Sequence, residues 1–308
     1  MNPLFLGIDG GGSKTTLRVC DGKGALLAET VGESINYYAL GMEKARENMR
    51  ESIRALLDNL HIERFTSAFI GMSALAGRAT AEDLTAFTEG VIPADFVEMD
   101  SDLFIALEAA QQDGPLCVVI AGTGSMAVAR DANGEIRTAG GWGHTLGDEG
   151  SGYFLALEGI KAAIRGGEGS ASETALTEAV LAQYEVPDCF ALIDLFYDPP
   201  MEKKQIAAFA PQVCRLAQEG DSVAQRILAR GAAELAATTA VLLRKLPRET
   251  PVFIWGGIFE HVAFMRELFG AALEKLLPNK KREIRLLPNP PVYGAVLAAM
   301  ELGGRETL

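Results

Sequence analysis

The chain contains the same strand–glycine–strand pattern twice, and this repeat restricts the fold more than any other feature. LFLGIDGGGSKTTLRVCDG begins at Leu4 and LCVVIAGTGSMAVARDANG begins at Leu116, an offset of 112 residues. The apolar positions, the glycine turns and a second turn at Gly22 and Gly134 coincide without a gap. Two apolar runs separated by glycines predict two strands joined by a tight hairpin. The repeat therefore predicts two related α/β domains.

Helical and strand patterns alternate in the rest of the chain. Residues 66–77 read as a strand that ends in small residues, and PVFIWGGIFE, from Pro251, reads as a strand, a glycine pair and a helix. We predict domains at 1–113 and 114–290, with a C-terminal helix from about 291 to 308 returning to the first domain. The apolar spacing predicts helices at 42–60, 153–165, 172–184, 204–218 and 222–246.

Composition and charge exclude several kinds of partner. The 308 residues are 48% hydrophobic, enough for two cores, and a net charge of −13 argues against nucleic acid and anionic membranes. The four cysteines share no short spacing and there are three histidines, so a zinc site, an iron–sulfur cluster and a disulfide framework are not expected. No apolar run has membrane-spanning length, and we expect a cytoplasmic protein.

The first hairpin, IDGGGSKT, differs from a P-loop. Gly7 and Gly12 have the spacing of that motif, but Ser13 occupies the lysine position and a strand follows instead of a helix. The sequence does not match the dinucleotide-binding motif either, because the glycines of that motif are also followed by a helix. What remains is a strand–turn–strand loop whose backbone can approach phosphate oxygens. Asp9, at the end of the strand, could hold Mg²⁺ through water.

Two further glycine sites follow strands, IAGTGS at 120–125 and WGGIFE at 255–260. Three such loops resemble the actin/hexokinase-like ATPases, in which two hairpins clasp the triphosphate and the later glycine pair receives the adenosine. The expected fold is α/β, a two-domain actin-like ATPase (ribonuclease H-like) fold with a cleft between the duplicated domains. The expected nucleotide-binding residues are Gly10, Gly11, Gly12, Ser13, Lys14, Thr15, Gly122, Thr123, Gly124, Ser125, Gly256 and Gly257.

The block GGWGHTLGDEGSGY, at 140–153, is more specific. Together with the three glycine sites it resembles N-acetylglucosamine kinases and the wider BadF/BadG/BcrA/BcrD ATPase family. That family also holds bacterial glucosamine kinases and the activating ATPases of benzoyl-CoA reductase. The resemblance spans nearly the whole chain. It implies transfer of the ATP γ-phosphate to the 6-hydroxyl of N-acetylglucosamine, with ATP and Mg²⁺ as cofactors, and it suggests a homodimer.

The segment VEMDSDLFIALEAA holds two candidates for the catalytic base, Asp100 and Asp102. A carboxylate at a strand end can orient and deprotonate an attacking hydroxyl. In the resembling family one aspartate here acts as the base and is followed four and five residues later by Ala-Leu. Ala106 and Leu107 fit that spacing from Asp102, so we favour Asp102. The other acid is then expected to be a helix N-cap.

Closely spaced polar side chains between glycines suit a sugar, because carboxylates accept hydroxyl protons and an aromatic ring can lie along the sugar face. By resemblance, Asp148 binds sugar hydroxyls, and Gly141 and Trp142 lie by the acetamido group. Asn36, in ESINYY, corresponds to an asparagine that contacts the sugar from the small domain. His144 is expected to organise the loop through a hydrogen bond. The expected sugar-binding residues are Asn36, Gly141, Trp142, Asp148 and Glu149.

Three other functions stay open. A glucosamine kinase of the same family would differ only in whether the pocket accepts an acetyl or an ammonium group. A reductase-activating ATPase needs cysteines that hold a cluster, and the scattered cysteines of this chain argue against it. A non-catalytic sugar-sensing regulator would bind ATP or sugar without turnover, and the presence of both Asp102 and Asp148 argues against it.

Overall fold

The computed structural model describes residues 2–73, 80–278 and 282–305. Two compact units divide the chain. The first unit contains Met1–Gln112 and Leu287–Leu308, and the second contains Asp113–Leu286.

Strands and helices in the described residues are numbered in chain order. The strands are β1 Leu4–Gly10, β2 Thr15–Asp21, β3 Leu26–Gly32, β4 Phe65–Met72, β5 Ala94–Ser101, β6 Leu116–Ala121, β7 Ser125–Arg130, β8 Ile136–Gly140, β9 Val252–Trp255 and β10 Ile284–Leu286. The helices are α1 Tyr37–Leu40, α2 Met42–Leu60, α3 Ala81–Thr88, α4 Asp102–Ala109, α5 Gly152–Gly167, α6 Leu176–Tyr184, α7 Leu192–Tyr197, α8 Lys203–Ala207, α9 Ala210–Gln218, α10 Ser222–Leu243, α11 Gly257–His261, α12 Ala263–Leu276 and α13 Pro291–Arg305. A short 3₁₀ helix, Cys189–Ala191, precedes α7.

The sheet of the first unit has the order β3-β2-β1-β4-β5. β1, β2 and β3 are antiparallel, whereas β4 and β5 run parallel to β1. β1 is buried on both faces, since Leu6 and Ile8 belong to one apolar cluster and Phe5 to another that contains Ala295 and Ala299 of α13. This double burial explains why β1 reads as a continuous apolar run rather than an alternating one.

The sheet of the second unit has the order β10-β9-β6-β7-β8. β6, β7 and β8 are antiparallel, and β9 and β10 run parallel to β6. Read from β8, this order matches that of the first unit read from β3, strand for strand. The prediction of two related α/β domains is therefore confirmed. The helices α5–α10 lie in sequence between β8 and β9.

The longest of these helices, α10, is fixed at both ends by side chains. Asp221 is its N-cap and accepts the backbone N–H groups of the first turn. At the other end the Arg282 guanidinium donates to the carbonyl oxygens of Leu243 and Pro247, each at 2.8 Å, and of Thr250 at 3.3 Å. None of the described helices, α10 included, has both the length and the apolarity needed to cross a membrane.

Candidate functional site

The first glycine hairpin joins β1 to β2. A Cβ atom at Gly10 would lie 2.7 Å from the Cδ1 atom of Ile35, so a larger residue would force this buried side chain to shift. A Cβ atom at Gly12 would meet no heavy atom within 4 Å, which leaves its backbone open to a ligand. Thr15 is buried, and its hydroxyl donates to the Glu33 carbonyl at 2.8 Å. The Thr15 side chain thus stabilises the hairpin from inside.

Parallel pairing brings two acidic residues to one edge of the first sheet. Asp9 on β1 stands opposite Gly71 on β4, and Gly71 stands opposite Asp100 on β5. The chain then turns directly into α4, whose first residue is Asp102. The carboxyl ends of β1, β4 and β5 therefore place Asp9 and Asp102 in the same neighbourhood.

Burial raises the pKa values of both acids, and repulsion from Asp102 adds to the shift of Asp9. Burial raises the pKa of Asp102 to about 6, although backbone N–H groups at Asp102 and Leu103 partly oppose the shift. Burial, followed by repulsion from Asp102, raises the pKa of Asp9 to about 7, and the exposed Lys14 ammonium opposes that shift. The Asp102 charge therefore makes the ionisation of Asp9 harder.

The N-cap of α4 is a residue that the sequence analysis did not name. Ser101 fills this position, and its hydroxyl oxygen accepts the backbone N–H of Phe104 at 3.4 Å. Asp100 is exposed and accepts the backbone N–H of Ser101 at 2.5 Å. The expectation that the second acid would cap the helix is therefore wrong, because Ser101, and not Asp100, directly precedes the first residue of α4.

Asn36 is the N-cap of α1. Its side-chain oxygen accepts the backbone N–H groups of Tyr38 at 3.1 Å and of Ala39 at 3.3 Å. Its amide nitrogen donates to the hydroxyl of Ser73 at 3.4 Å. Ser73 directly follows β4, so Asn36 lies near the sheet edge that holds Asp9. Its role in sugar binding stays a prediction.

The second glycine hairpin joins β6 to β7. The turn is closed by the backbone N–H of Gly122, which donates to the Gly124 carbonyl at 2.9 Å. The Gly122 carbonyl in turn accepts the N–H of Gly152 at 2.7 Å, at the start of α5. Ser125 is buried, and its hydroxyl donates to the Glu149 carbonyl at 2.7 Å. The hairpin is thus tied to the glycine-rich block 140–153.

Asp148, within this block, is turned towards the second hairpin. Its backbone has a left-handed conformation with φ of 65°, and the residue is only 4% exposed. One carboxylate oxygen accepts the N–H of Ser125 at 3.1 Å. The other accepts a hydrogen bond from the Lys203 ammonium at 2.6 Å. Both oxygens therefore have partners within the second unit, and sugar binding by Asp148 stays a prediction.

Several other residues of the block are exposed to solvent, although Ser151 is buried. Trp142 is 74% exposed, and Gly141 and Glu149 are exposed as well. The His144 ring packs edge-on against Tyr153, with centroids 4.9 Å apart. A ring contact thus anchors His144 to α5, whereas the sequence predicted a hydrogen bond. Trp142 presents a free aromatic face of the kind that sugar rings use.

Lys203 is the site residue that sequence reasoning missed. It begins α8, 55 positions after Asp148, and pairs with that carboxylate. Its neighbour Lys204 is exposed, so the two lysines resemble an ordinary solvated charge pair in the sequence. Nothing in the local pattern distinguishes them, because the contact depends on how α8 packs against α5.

The third glycine site lies beside the second hairpin. Gly256 has φ of 104°, and a Cβ atom there would lie 2.5 Å from the Ala121 carbonyl oxygen. Only glycine permits both this backbone conformation and this approach. Gly257 then begins α11. The WGG segment and the second hairpin therefore share one edge of the second sheet.

Comparisons with known proteins agree with this geometry. Residues 6–301 match the model of the BadF/BadG/BcrA/BcrD ATPase family. The chain belongs to this family. Membership in a family of ATPases makes ATP the nucleotide that the chain uses.

Three known proteins illustrate the range of the similarity. An N-acetylmuramic acid/N-acetylglucosamine kinase of Clostridium acetobutylicum is 28% identical over 96% of this chain and 97% of its own. An N-acetyl-D-glucosamine kinase of Dictyostelium discoideum is 27% identical over 96% of this chain and 98% of its own. The crystal structure of a candidate N-acetylglucosamine kinase from Chromobacterium violaceum superposes with a TM-score of 0.78 at 23% identity, covering 96% and 98% of the two chains. This last likeness shows that the two chains share a fold.

Proposed function

We propose that this protein is a kinase that transfers the γ-phosphate of ATP to the 6-hydroxyl of N-acetylglucosamine. The observation behind the proposal is similarity along almost the whole chain to two kinases that both bear this sugar in their names. The family match supports the nucleotide part of the reaction independently of the sugar. The predicted 6-position rests on the resemblance described above.

Asp102 is the proposed base. Phosphoryl transfer needs a group that orients the attacking hydroxyl and accepts its proton, and a buried carboxylate at a sheet edge serves this purpose. With a pKa of about 6, Asp102 is largely ionised at neutral pH and still more basic than an ordinary aspartate. Its position at the start of α4 also orients the carboxylate through backbone N–H groups.

The glycine sites are proposed to hold the nucleotide. Exposed backbone N–H groups bind phosphate oxygens without a side chain in the way, as at Gly12 and Gly122, where a Cβ atom would meet nothing within 4 Å. Gly256 and Gly257 are proposed to receive the adenosine. Asn36, Trp142, Asp148 and Glu149 remain the proposed sugar ligands, with Trp142 as the aromatic face.

The chemistry of Asp9 fits a magnesium ion. Mg²⁺ prefers carboxylate and phosphate oxygens and needs only one or two protein carboxylates. The partly buried Asp9 carboxylate, repelled by Asp102, would gain from a nearby cation. In the described residues no group of three or more His, Cys, Asp and Glu could hold a metal ion by itself. When bound, Mg²⁺ would neutralise charge on the transferred phosphate.

A cytoplasmic homodimer completes the proposal. The four cysteines are free thiols, which suits a reducing compartment. The dimer rests on resemblance, and sedimentation of the purified protein would test it.

The substrate is tested by steady-state kinetics with ATP and a panel of sugars. We expect kcat/KM to be highest for N-acetylglucosamine, with ³¹P-coupled NMR of the product showing phosphate on oxygen 6. Glucosamine tests the rival reading, in which the pocket accepts an ammonium group. Turnover of glucosamine alone would overturn the proposal, and ATP hydrolysis without any sugar product would favour an energising ATPase.

The base is tested by Asp102→Asn. Asp100→Asn, two residues earlier in the chain, is the matched control. Loss of the proton acceptor should lower kcat by about 10²- to 10⁴-fold. The sugar dissociation constant, measured by calorimetry, should stay within about threefold because the amide keeps the size of the carboxyl group. Asp100→Asn should retain near-normal kcat. If Asp100→Asn is the inactive variant, the two roles must be exchanged.

A further inference from the structure

An ion pair lies directly against the second glycine hairpin. The Lys203 ammonium and both Asp148 carboxylate oxygens are each 3.1 Å from the point where a Cβ atom of Gly124 would stand. The ammonium and the carboxylate are 2.6 Å apart. A glycine at this position therefore lets a positive side chain approach the hairpin backbone.

The two members of the pair differ in their freedom to move. Asp148 is held by its N–H contact with Ser125 and by its left-handed backbone, and its side chain is 4% exposed. The Lys203 side chain is 30% exposed and extends from the first residue of the short helix α8. A lysine ammonium on a flexible stem can exchange one anionic partner for another by rotating about its side-chain bonds. The lysine is therefore the member that can leave the pair.

We propose that Lys203 is a phosphate-binding side chain of the second hairpin, and that its ion pair with Asp148 is the nucleotide-free position of the ammonium. The inference rests on the proposed function only in assigning a nucleotide to this hairpin. A nucleoside triphosphate brings several anionic oxygens to the glycine backbone, and an ammonium already at that backbone forms charge-assisted hydrogen bonds with them.

The exchange has a consequence for Asp148. When the ammonium moves to phosphate, one oxygen of a buried carboxylate loses its partner and becomes free to accept a sugar hydroxyl. Nucleotide binding thereby frees the Asp148 carboxylate to bind the sugar. Because coupling between two ligands is reciprocal, a bound sugar should raise the affinity for nucleotide by the same factor.

The test measures binding of AMP-PNP with Mg²⁺ by calorimetry, in the absence of sugar. Lys203→Met removes the charge, and Lys204→Met removes the neighbouring exposed charge as the matched control. Asp148→Asn keeps the acceptor for Ser125 but releases the ammonium. The double variant Asp148→Asn/Lys203→Met leaves no unpaired buried charge, so it keeps the test valid if Lys203→Met alone is unstable.

We expect Lys203→Met and the double variant to bind AMP-PNP about 10- to 100-fold more weakly than the unmodified protein. Asp148→Asn should bind at least as tightly, and Lys204→Met should be unchanged. If the ion pair were purely structural, Lys203→Met and Asp148→Asn would instead change the affinity for AMP-PNP in the same direction. Wild-type affinity in the double variant, or equal weakening by Asp148→Asn and Lys203→Met, would overturn the inference.

Repeating the titrations with saturating N-acetylglucosamine measures the coupling. The unmodified protein should gain affinity for AMP-PNP, and the double variant should gain none. Failure to phosphorylate any amino sugar, with the sugar-free binding results as expected, would overturn the proposed substrate and leave the role of Lys203 intact.

Discussion

Asp9, near the carboxyl end of β1, and Asp102, directly after β5, lie at one edge of the first sheet, where burial raises the pKa of both groups and repulsion from Asp102 raises that of Asp9 further. The pKa of Asp102 is about 6 and that of Asp9 about 7, both well above the ordinary value of 3.8. A raised pKa means that the folded chain holds protons that the unfolded chain releases. The stability of the ligand-free protein should therefore fall as pH rises.

The pH dependence is testable with Asp9→Asn, in buffer without nucleotide or divalent cation. Below about pH 4 the carboxyl group is protonated in both states, so burial of Asp9 costs nothing and the variant should match the unmodified protein. As pH rises from about 4 to about 7 the unmodified protein loses stability that the amide cannot lose, because over this range the unfolded chain has released a proton that the folded chain still holds. At pH 8 the variant should be more stable by up to about 4 kcal/mol in urea unfolding, because the pKa of Asp9 is raised from 3.8 to about 7 and each pKa unit corresponds to about 1.4 kcal/mol. A difference that is constant between pH 4 and pH 8 would contradict the pKa assignment.

At the scale of elements, long segments with a clear period were predictable. The pattern at 42–60 predicts α2 with its observed bounds, and the second of two apolar runs around IDGGGSKT is β2. The strand predicted at 66–77 is β4, which ends at Met72, and residues 74–77 lie outside the described residues. The predictions of these segments are correct because their own side chains bury one face or both, and the hydropathy pattern reports this burial.

Two helix boundaries were predicted wrongly for identifiable reasons. The segment 204–218 forms two helices, because Pro211 fits only the first turn of a helix and so marks a new start at Ala210. The signal was present in the sequence. The helix predicted from 172 begins at Leu176, where the Asp221 carboxylate binds the N–H of Ala175 at 2.9 Å. That contact joins residues 46 positions apart and leaves no local signal.

The residues of the candidate site also fall into two groups, those with a local sequence signal and those that depend on distant contacts. The glycine hairpins could be predicted from local sequence, because a strand end and its turn are contiguous in the chain, whereas the choice of Asp102 as the base rests on the resemblance and stays a prediction. Lys203 and Ser73 could not, since each reaches the site through packing of a distant segment. The same holds for the partners of Asp148, which show its carboxylate bound within the protein. Sequence therefore predicts where the glycine hairpins lie better than which distant side chains contact them.

On the scale of the whole molecule, the C-terminal helix α13 packs within the first unit. α13 packs on β1 and α4, and a Cβ atom at Gly294 would overlap the Ile105 carbonyl oxygen and lie 2.7 Å from the Ala109 nitrogen. Both obstacles are backbone atoms, which cannot rotate away. Residues 287–305 thus belong to the first unit although the second unit separates them from it in sequence.

Gly294→Ala should therefore destabilise the first unit selectively, by about 3 kcal/mol from overpacking. Both tryptophans, Trp142 and Trp255, lie in the second unit, so their fluorescence follows that unit, whereas far-UV circular dichroism follows the whole chain. In urea the dichroism of the variant should begin to change before the fluorescence does.

Gly304→Ala in the same helix is the matched control, because a Cβ atom there meets nothing within 4 Å. The control should be unchanged or up to about 1 kcal/mol more stable, since alanine favours helix. Coincident transitions at the wild-type midpoint in Gly294→Ala would mean that α13 does not secure the first unit.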